Sequence, residues 1–325
     1  MHELANGWKE DPDTLGILKK HAITDTHCNV RRGAVQELSR GWKQDPDTRQ
    51  ILKTRAASDE ADTVRLAAVQ ELARAWKQDP DTLQILKARA TEDMDRYVRL
   101  AAVQELARGW KQNLDTLQIL KARAVSDNDP AVRLGTLQEL VRGWKQNLNT
   151  LQILKARAAS DNDPAVRVAA VQELARGWKK DPDTPLILKQ CAASGEDPAV
   201  RLSAVQELAR GWKEDPDTLQ ILKKCTASGE DPAMRLSAVQ ELARGWKKDP
   251  ETLLILKQCA APGEDPSVRL AAAQELARGW KQDPDVQSLL SDLQAAEEQS
   301  TLEARQIDQV PLINRRRKTG RRSPR

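Results

Sequence analysis

Between Asp163 and Glu196 the apolar residues recur with helical spacing. At ~100° per residue, Val166, Ala170, Val171, Leu174 and Trp178 fall on one arc, and Gln172, Glu173, Arg176 and Lys179 fall opposite. This predicts a first helix from Asp163-Pro164 to about Lys179. A second helix is predicted from Asp181-Pro182 to about Ala193, with Leu186, Leu188 and Ala192 on its buried side, Ile187 near the edge and Lys189 outward. Each start carries an acid that can cap and a proline suited to the first helical position. The link between them spans only a few residues, so the two helices are antiparallel neighbours. Period-two runs of Val and Ile, the mark of strands, do not occur.

This pair of helices is one unit of an array. Tryptophan stands at 8, 42, 76, 110, 144, 178, 212, 246 and 280, always 34 residues apart, and the triplet QEL recurs with the same period. A fixed period of 20–50 residues marks a solenoid, because no single helix pair can bury its own stripe. The expected fold is therefore all-α, a solenoid of about nine 34-residue units. At helix spacings of ~8–10 Å it would extend roughly 80–90 Å with a long groove. Residues 1–283 are assigned to the array, with the first unit incomplete. Residues 284–306, which include the amphipathic stretch VQSLLSDLQAAEEQSTLEARQ, form an expected capping helix, and 307–325 a basic disordered tail. Two units replace the second Asp-Pro by Asn113-Leu114 and Asn147-Leu148; asparagine still caps, but the proline is lost.

Composition narrows the class. Of 325 residues, 39% are hydrophobic and 31% charged, which excludes a wholly disordered chain. No apolar run approaches the ~18 residues of a membrane span, and the N-terminus lacks a basic start followed by an apolar core. Four cysteines in this length suit a reducing compartment, so a cytoplasmic location is expected. The formal charge of +4 belongs to the end of the chain. Arg315, Arg316, Arg317, Lys318, Arg321, Arg322 and Arg325 lie there with no acid among them, leaving the array slightly acidic. Such a cluster can hold nucleic acid or anionic lipid through charge alone.

Three columns carry the candidate chemistry. Arg65, Arg99, Arg133, Arg167, Arg201, Arg235 and Arg269 sit within the apolar arc, as does Arg31. A buried guanidinium requires carboxylate or carbonyl partners; turn acids such as Asp163 and Asp181 are the expected ones, forming a ladder from unit to unit. Trp76, Trp110, Trp144, Trp178, Trp212 and Trp246 are expected to plug the seams, although an exposed row would stack bases or sugars. Lys19, Lys53, Lys87, Lys121, Lys155, Lys189, Lys223 and Lys257 form a stripe on the second helices, with Gln50, Gln84, Gln118, Gln152 and Gln220 one turn away. That stripe suits an acidic or polar extended partner. Cys191, Cys225 and Cys259 are also 34 apart. Neighbouring units place them ~9–10 Å from one another, too far for a disulfide, and they read as half-buried thiols. His21, His27 and Cys28 lack a second ligand pair for a metal. The residues found once, Met94, Tyr97 and His27 among them, make no acid–base set, so neither catalysis nor a cofactor is expected.

The phrase DPAVRLSAVQELARGW, with its aspartate, VR pair, small residues and EL, resembles HEAT repeats, particularly the phycobilisome-lyase-type HEAT family. The GWKxDPDT variant is similar to HEAT arrays attached to bacterial, especially cyanobacterial, STAND/NACHT-type ATPases. The resemblance covers residues 1 to about 283. It implies a right-handed α-solenoid whose second helices line the concave side, and a non-catalytic scaffold or sensor that binds a protein along that face. No GxxxxGK[ST] is present, so the motor of such ATPases is missing from this sequence. The same resemblance offers a bilin lyase or chaperone as the enzyme alternative.

Overall fold

The structure is a computed structural model that describes residues 1–193 and 196–295. Every regular element among them is a helix: α1 (His2–Gly7), α2 (Pro12–Thr24), α3 (Cys28–Gly41), α4 (Pro46–Ser58), α5 (Asp62–Ala75), α6 (Pro80–Glu92), α7 (Arg96–Gly109), α8 (Leu114–Ser126), α9 (Pro130–Trp144), α10 (Leu148–Ser160), α11 (Pro164–Gly177), α12 (Asp183–Cys191), α13 (Pro198–Gly211), α14 (Pro216–Cys225), α15 (Pro232–Gly245), α16 (Pro250–Cys259) and α17 (Pro266–Gly279). A further helix, α18, covers 284–295. The chain is thus an all-α array of helix pairs. It divides into two compact units, Met1–Gly211 and the part from Trp212 onward.

Local signals determine the boundaries. Asp45, Asp79 and Asp163 each accept a backbone N–H of the first turn that they cap. The asparagine substitutions keep this function: Asn113 accepts from Asp115 and Thr116, and Asn147 from Asn149. First helices end at the tryptophan, whose backbone leaves the helical region at φ near −130°. The Trp110 carbonyl then accepts the Asn113 N–H at 2.9 Å, closing the turn into α8.

In the unit Met1–Gly211, first helices pack on first helices and second helices on second helices, with Leu38, Leu72, Leu106, Leu140 and Leu174 buried between the layers. Successive first helices approach one another more closely than successive second helices do. The cause is composition: runs such as VRLAAVQELA put Ala101 and Ala102 on the contact, and small side chains permit close backbones. A double layer bends toward its more closely spaced side. By this spacing the first helices, and not the second helices as expected, would line the inner side of this unit. Leu186 is corrected: it is exposed, because it occupies the outward position that Gln84, Gln118 and Gln152 hold elsewhere.

The array changes type within its length. Second helices α2 to α10 have 13 residues, whereas α12, α14 and α16 have 9 or 10. The shorter helices end at Cys191, Cys225 and Cys259, and glycine turns at Gly229 and Gly263 follow the last two, with Gly263 at φ 93°. These thiols are fully buried rather than half-buried. The missing Arg side chain of the earlier units makes the difference. Burial pushes the Cys191 and Cys259 thiols up from their ordinary value, against the lowering pull of the neighbouring Arg167 and Arg235.

In the second unit Val239, Leu256, Val268, Leu276 and Val286 share one core, and Leu289, Leu290 and Leu293 of α18 pack against it. The rest of the expected capping helix and the whole 307–325 tail, Arg315 to Arg325 included, lie outside the described residues. No helix among the described residues is long and apolar enough to cross a membrane.

Candidate functional site: charged columns on three faces

The arginines of the VR pair bridge successive inter-unit turns. Arg99 places Nε and Nη2 on Asp127 at 3.0 and 2.8 Å, and Nη1 on the Asp93 carbonyl at 3.0 Å. Arg31–Asp59, Arg65–Asp93 and Arg133–Asp161 repeat the bidentate geometry. The carboxylates are not Asp163 or Asp181 but the residue 28 positions beyond each arginine, at the end of the second helix. They are almost wholly covered. Sequence spacing could not select them, since Asp161 and Asp163 flank the same turn.

From Arg167 on, glycine stands where these aspartates would be, and the guanidinium takes a glutamate instead: Arg167–Glu196 at 2.7 Å and Arg235–Glu264 at 2.5 Å. The Nε groups of Arg167, Arg201 and Arg235 then donate to the Ala158, Ala192 and Thr226 carbonyls. Arg157, which reaches Asp161 at 3.4 Å, has Cys191 as its counterpart one unit later. Arginine and its aspartate thus disappear together. The acid position corresponding to Arg269 lies outside the described residues.

Burial alone would raise the carboxyls of Asp59, Asp93 and Asp161. The arginine hydrogen bonds, a backbone N–H and the arginine charges outweigh it and hold all three below the ordinary carboxylate value. A carboxyl with a depressed folded value lends stability that is complete above its unfolded value and is lost as pH falls through the folded one. Helical circular dichroism should accordingly stay constant down to about pH 4 and fall below it; unfolding already complete at pH 5 would contradict these assignments.

The lysine stripe is tied to the array rather than free. Lys53 holds Asp79 and Asp81, both at 2.7 Å; Lys155 holds Asp181 and Asp183, both at 2.7 Å; Lys223 holds Asp249 at 3.1 Å and Glu251 at 2.7 Å; Lys257 holds Asp283 and Asp285 at 3.1 and 3.0 Å. Lys19 does the same with Asp45 and Asp47, and Lys87 keeps one partner, Asp115, at 2.6 Å. Lys189 also has polar or electrostatic partners. Lys121 differs, because positions 147 and 149 are asparagine. The outward groups of this layer are the exposed amides of Gln84, Gln118 and Gln152.

The tryptophans are half-buried at the first-helix ends, and Trp8 is exposed. The lysine after one tryptophan reaches the next: Lys111 Nζ lies 5.8 Å from the Trp144 ring centre, and Lys247 Nζ 5.6 Å from that of Trp280. Glycine before the tryptophan leaves room for this stem. A Cβ at Gly109 would meet Lys77 Cε at 3.4 Å.

A fourth column lies on the first-helix layer, where the wheel places Glu173 and Arg176 opposite the apolar arc. The QEL glutamates Glu37, Glu71, Glu139 and Glu207 are buried, and each pairs with the arginine three residues on. Those arginines, Arg40, Arg74, Arg142 and Arg210, remain more than half exposed, as do Arg108, which faces the half-buried Glu105, and Arg176, which lies 3.9 Å from Glu207 of the next repeat. Burial pushes the Glu105 carboxyl up. The legible signal was the alanine-rich first helix, which identifies the closely packed layer. Near the N-terminus Asp25 binds His21 Nδ1 and the His27 N–H, both at 2.8 Å. No cluster among the described residues could hold a metal.

The sequence matches HEAT repeats over residues 16–107, 83–175, 151–243 and 184–277. The chain belongs to the HEAT-repeat family. No curated protein matches it significantly. Among solved structures, YibA of Escherichia coli is similar at 18% identity and a TM-score of 0.50, covering 85% of this chain and 96% of that one. Kap95p, solved with RanGDP, is similar at 13% identity and a TM-score of 0.56, covering 87% of this chain and 42% of Kap95p. Kap121p, solved bound to Nup53p, is similar at 16% identity and a TM-score of 0.52, with 83% of this chain and 33% of Kap121p covered. This HEAT chain therefore spans well under half of the karyopherins it matches. At these identities the likeness is one of fold.

Proposed function

We propose that this HEAT array is a non-catalytic scaffold that holds an extended protein partner along its first-helix layer. The observation that carries the reading is the arginine column: a guanidinium more than half exposed in successive repeats, held in most of them by the glutamate three residues before it. Helix spacing sets successive guanidiniums ~10 Å apart, about three residues of an extended chain. Contacts in series of this kind suit an acidic partner, and each adds to the others through effective concentration. Karyopherins solved with protein partners share the fold and make protein binding a natural use of it. A bilin lyase or chaperone would need one localised constellation, for which no side-chain arrangement speaks.

The test is capture of the partner by the full chain from its native cells, repeated with Arg74→Gln, Arg108→Gln and Arg176→Gln singly and together. Capture should weaken in cumulative steps, about threefold to tenfold each. Unchanged capture by the triple variant would reject the inner-layer reading. A second reading rests on the seven cations of Arg315–Arg325: charge-led binding of nucleic acid or anionic lipid. A chain ending at 314 should then elute from DNA or anionic vesicles at lower salt; identical elution would dismiss it.

A further inference from the structure

We infer that the second-helix layer around Lys121 is a separate docking site for an acidic-apolar protein segment, in which the partner supplies the carboxylate that this chain omits. Lys53, Lys155 and Lys223 are each clamped by two acids 26 and 28 residues on. For Lys121 those two positions are Asn147 and Asn149, and no carboxylate among the described residues pairs with it. The asparagine amides remain as hydrogen-bond donors beside the ammonium.

The same two repeats carry a second departure. Leu114 and Leu148 replace the prolines found at that position elsewhere, and they stand 84% and 75% exposed. Exposed leucines in adjacent repeats are a patch rather than scattered residues. They bury nothing within the array, and their replacement of proline forfeits a pre-set helix start. A shallow groove of about 460 Å³, lined by Arg142, Trp144, Lys145 and Asn147 among others, lies at the turn that leads into Leu148.

Charge complementarity identifies the occupant. Arg142, Lys155 and Arg157 are already held by Glu139, by Asp181 with Asp183, and by Asp161, whereas Lys121 has no carboxylate partner among the described residues. Its ammonium attracts a single anion, and the exposed leucines of the same two repeats favour a protein segment over a phosphate backbone. One repeat separates Leu114 from Leu148, ~10 Å. The segment thus presents two apolar side chains about three residues apart, with an Asp or Glu next to the one that meets Leu148. Leu114, Lys121 and Leu148 stand on second helices, whereas Arg74 and Arg108 stand on first helices, so the two sites can be tested separately.

The experiment measures fluorescence anisotropy of the full chain with three probes. They are a labelled peptide with two leucines about three residues apart and a neighbouring Glu, its Glu→Gln counterpart, and a short single-stranded DNA. The Glu peptide should bind about tenfold tighter than the Gln peptide, the worth of one charge-assisted hydrogen bond. Asn147→Asp with Asn149→Asp returns the two acids that Lys155 has, and should abolish that preference. Leu114→Pro with Leu148→Pro returns the common residue and should weaken both peptides. All four changes reproduce residues present in other repeats, so circular dichroism should show an intact array. Arg74→Gln with Arg108→Gln should leave peptide binding unaltered, which separates this site from the scaffold reading. Equal binding of the two peptides, binding of neither, a preference unaffected by the restored acids, or preferential binding of DNA would each overturn the inference.

Discussion

Replacing Asp127 by Asn should destabilise the first unit by about 3–5 kcal/mol in urea unfolding followed by circular dichroism. Arg99 is the reason. Its side chain is 7% exposed, and two of its nitrogens rest on the two oxygens of Asp127. An amide offers one acceptor and no charge, so the guanidinium stays buried with no carboxylate, and with only neutral acceptors: one amide oxygen, the Asp93 and Met94 carbonyls and the Asn128 side chain. The Asp129 N–H loses an ionic acceptor as well. Losing one partner of a covered ion pair is far costlier than removing both. The later repeats show how the aspartate can be dispensed with while the arginine keeps an acidic partner, as Arg235 does with Glu264. Arg123→Cys, Asp127→Gly and Asn128→Glu together install the turn that Cys225, Gly229 and Glu230 form. This triple variant should recover most of the loss. A shift below about 1 kcal/mol for the single variant, or a triple variant as weak as the single one, would show that the rungs do not support the array.

The helices and their boundaries were readable because each depends on local chemistry: the 34-residue period, Asp-Pro starts and the tryptophan at each first-helix end. Burial of Val166, Val171 and Leu174 followed from the same arc. Pairing between repeats was not readable to the same degree. The Arg99–Asp127 and Lys155–Asp183 bonds join residues 28 positions apart, and that register depends on how far one helix is offset from the next. Without it, Asp161 and Asp163 were indistinguishable, and the lysine stripe looked free. Asn147 and Asn149 illustrate the point. As caps their role was evident; as the missing partners of Lys121 they gain meaning only once the neighbouring repeats show what the position normally holds. How closely each layer packs was likewise left unread. The physical determinant is side-chain size on each layer, and alanine crowding on the first helices was present in the sequence throughout.

Truncating Leu106 to Ala should cost about 2–5 kcal/mol, and its effect should remain local. Leu106 is fully buried in α7, and α7 packs against α5, α6, α8 and α9. The void therefore opens at the meeting point of three repeats, where close-packed neighbours cannot all relax into it. The Leu106 carbonyl also receives the Trp110 N–H at 2.9 Å, so movement of this turn would disturb the helix end as well. In a stack whose repeats touch only their neighbours, stability is a sum of repeat and interface terms. Hydrogen exchange should accordingly rise first in α5 to α9, with amides of α15 and α17 keeping their protection. A uniform rise across all helices would mean that the array unfolds as one cooperative body. An unfolding loss below about 1 kcal/mol would mean that the layers close over the gap, which the close first-helix packing argues against.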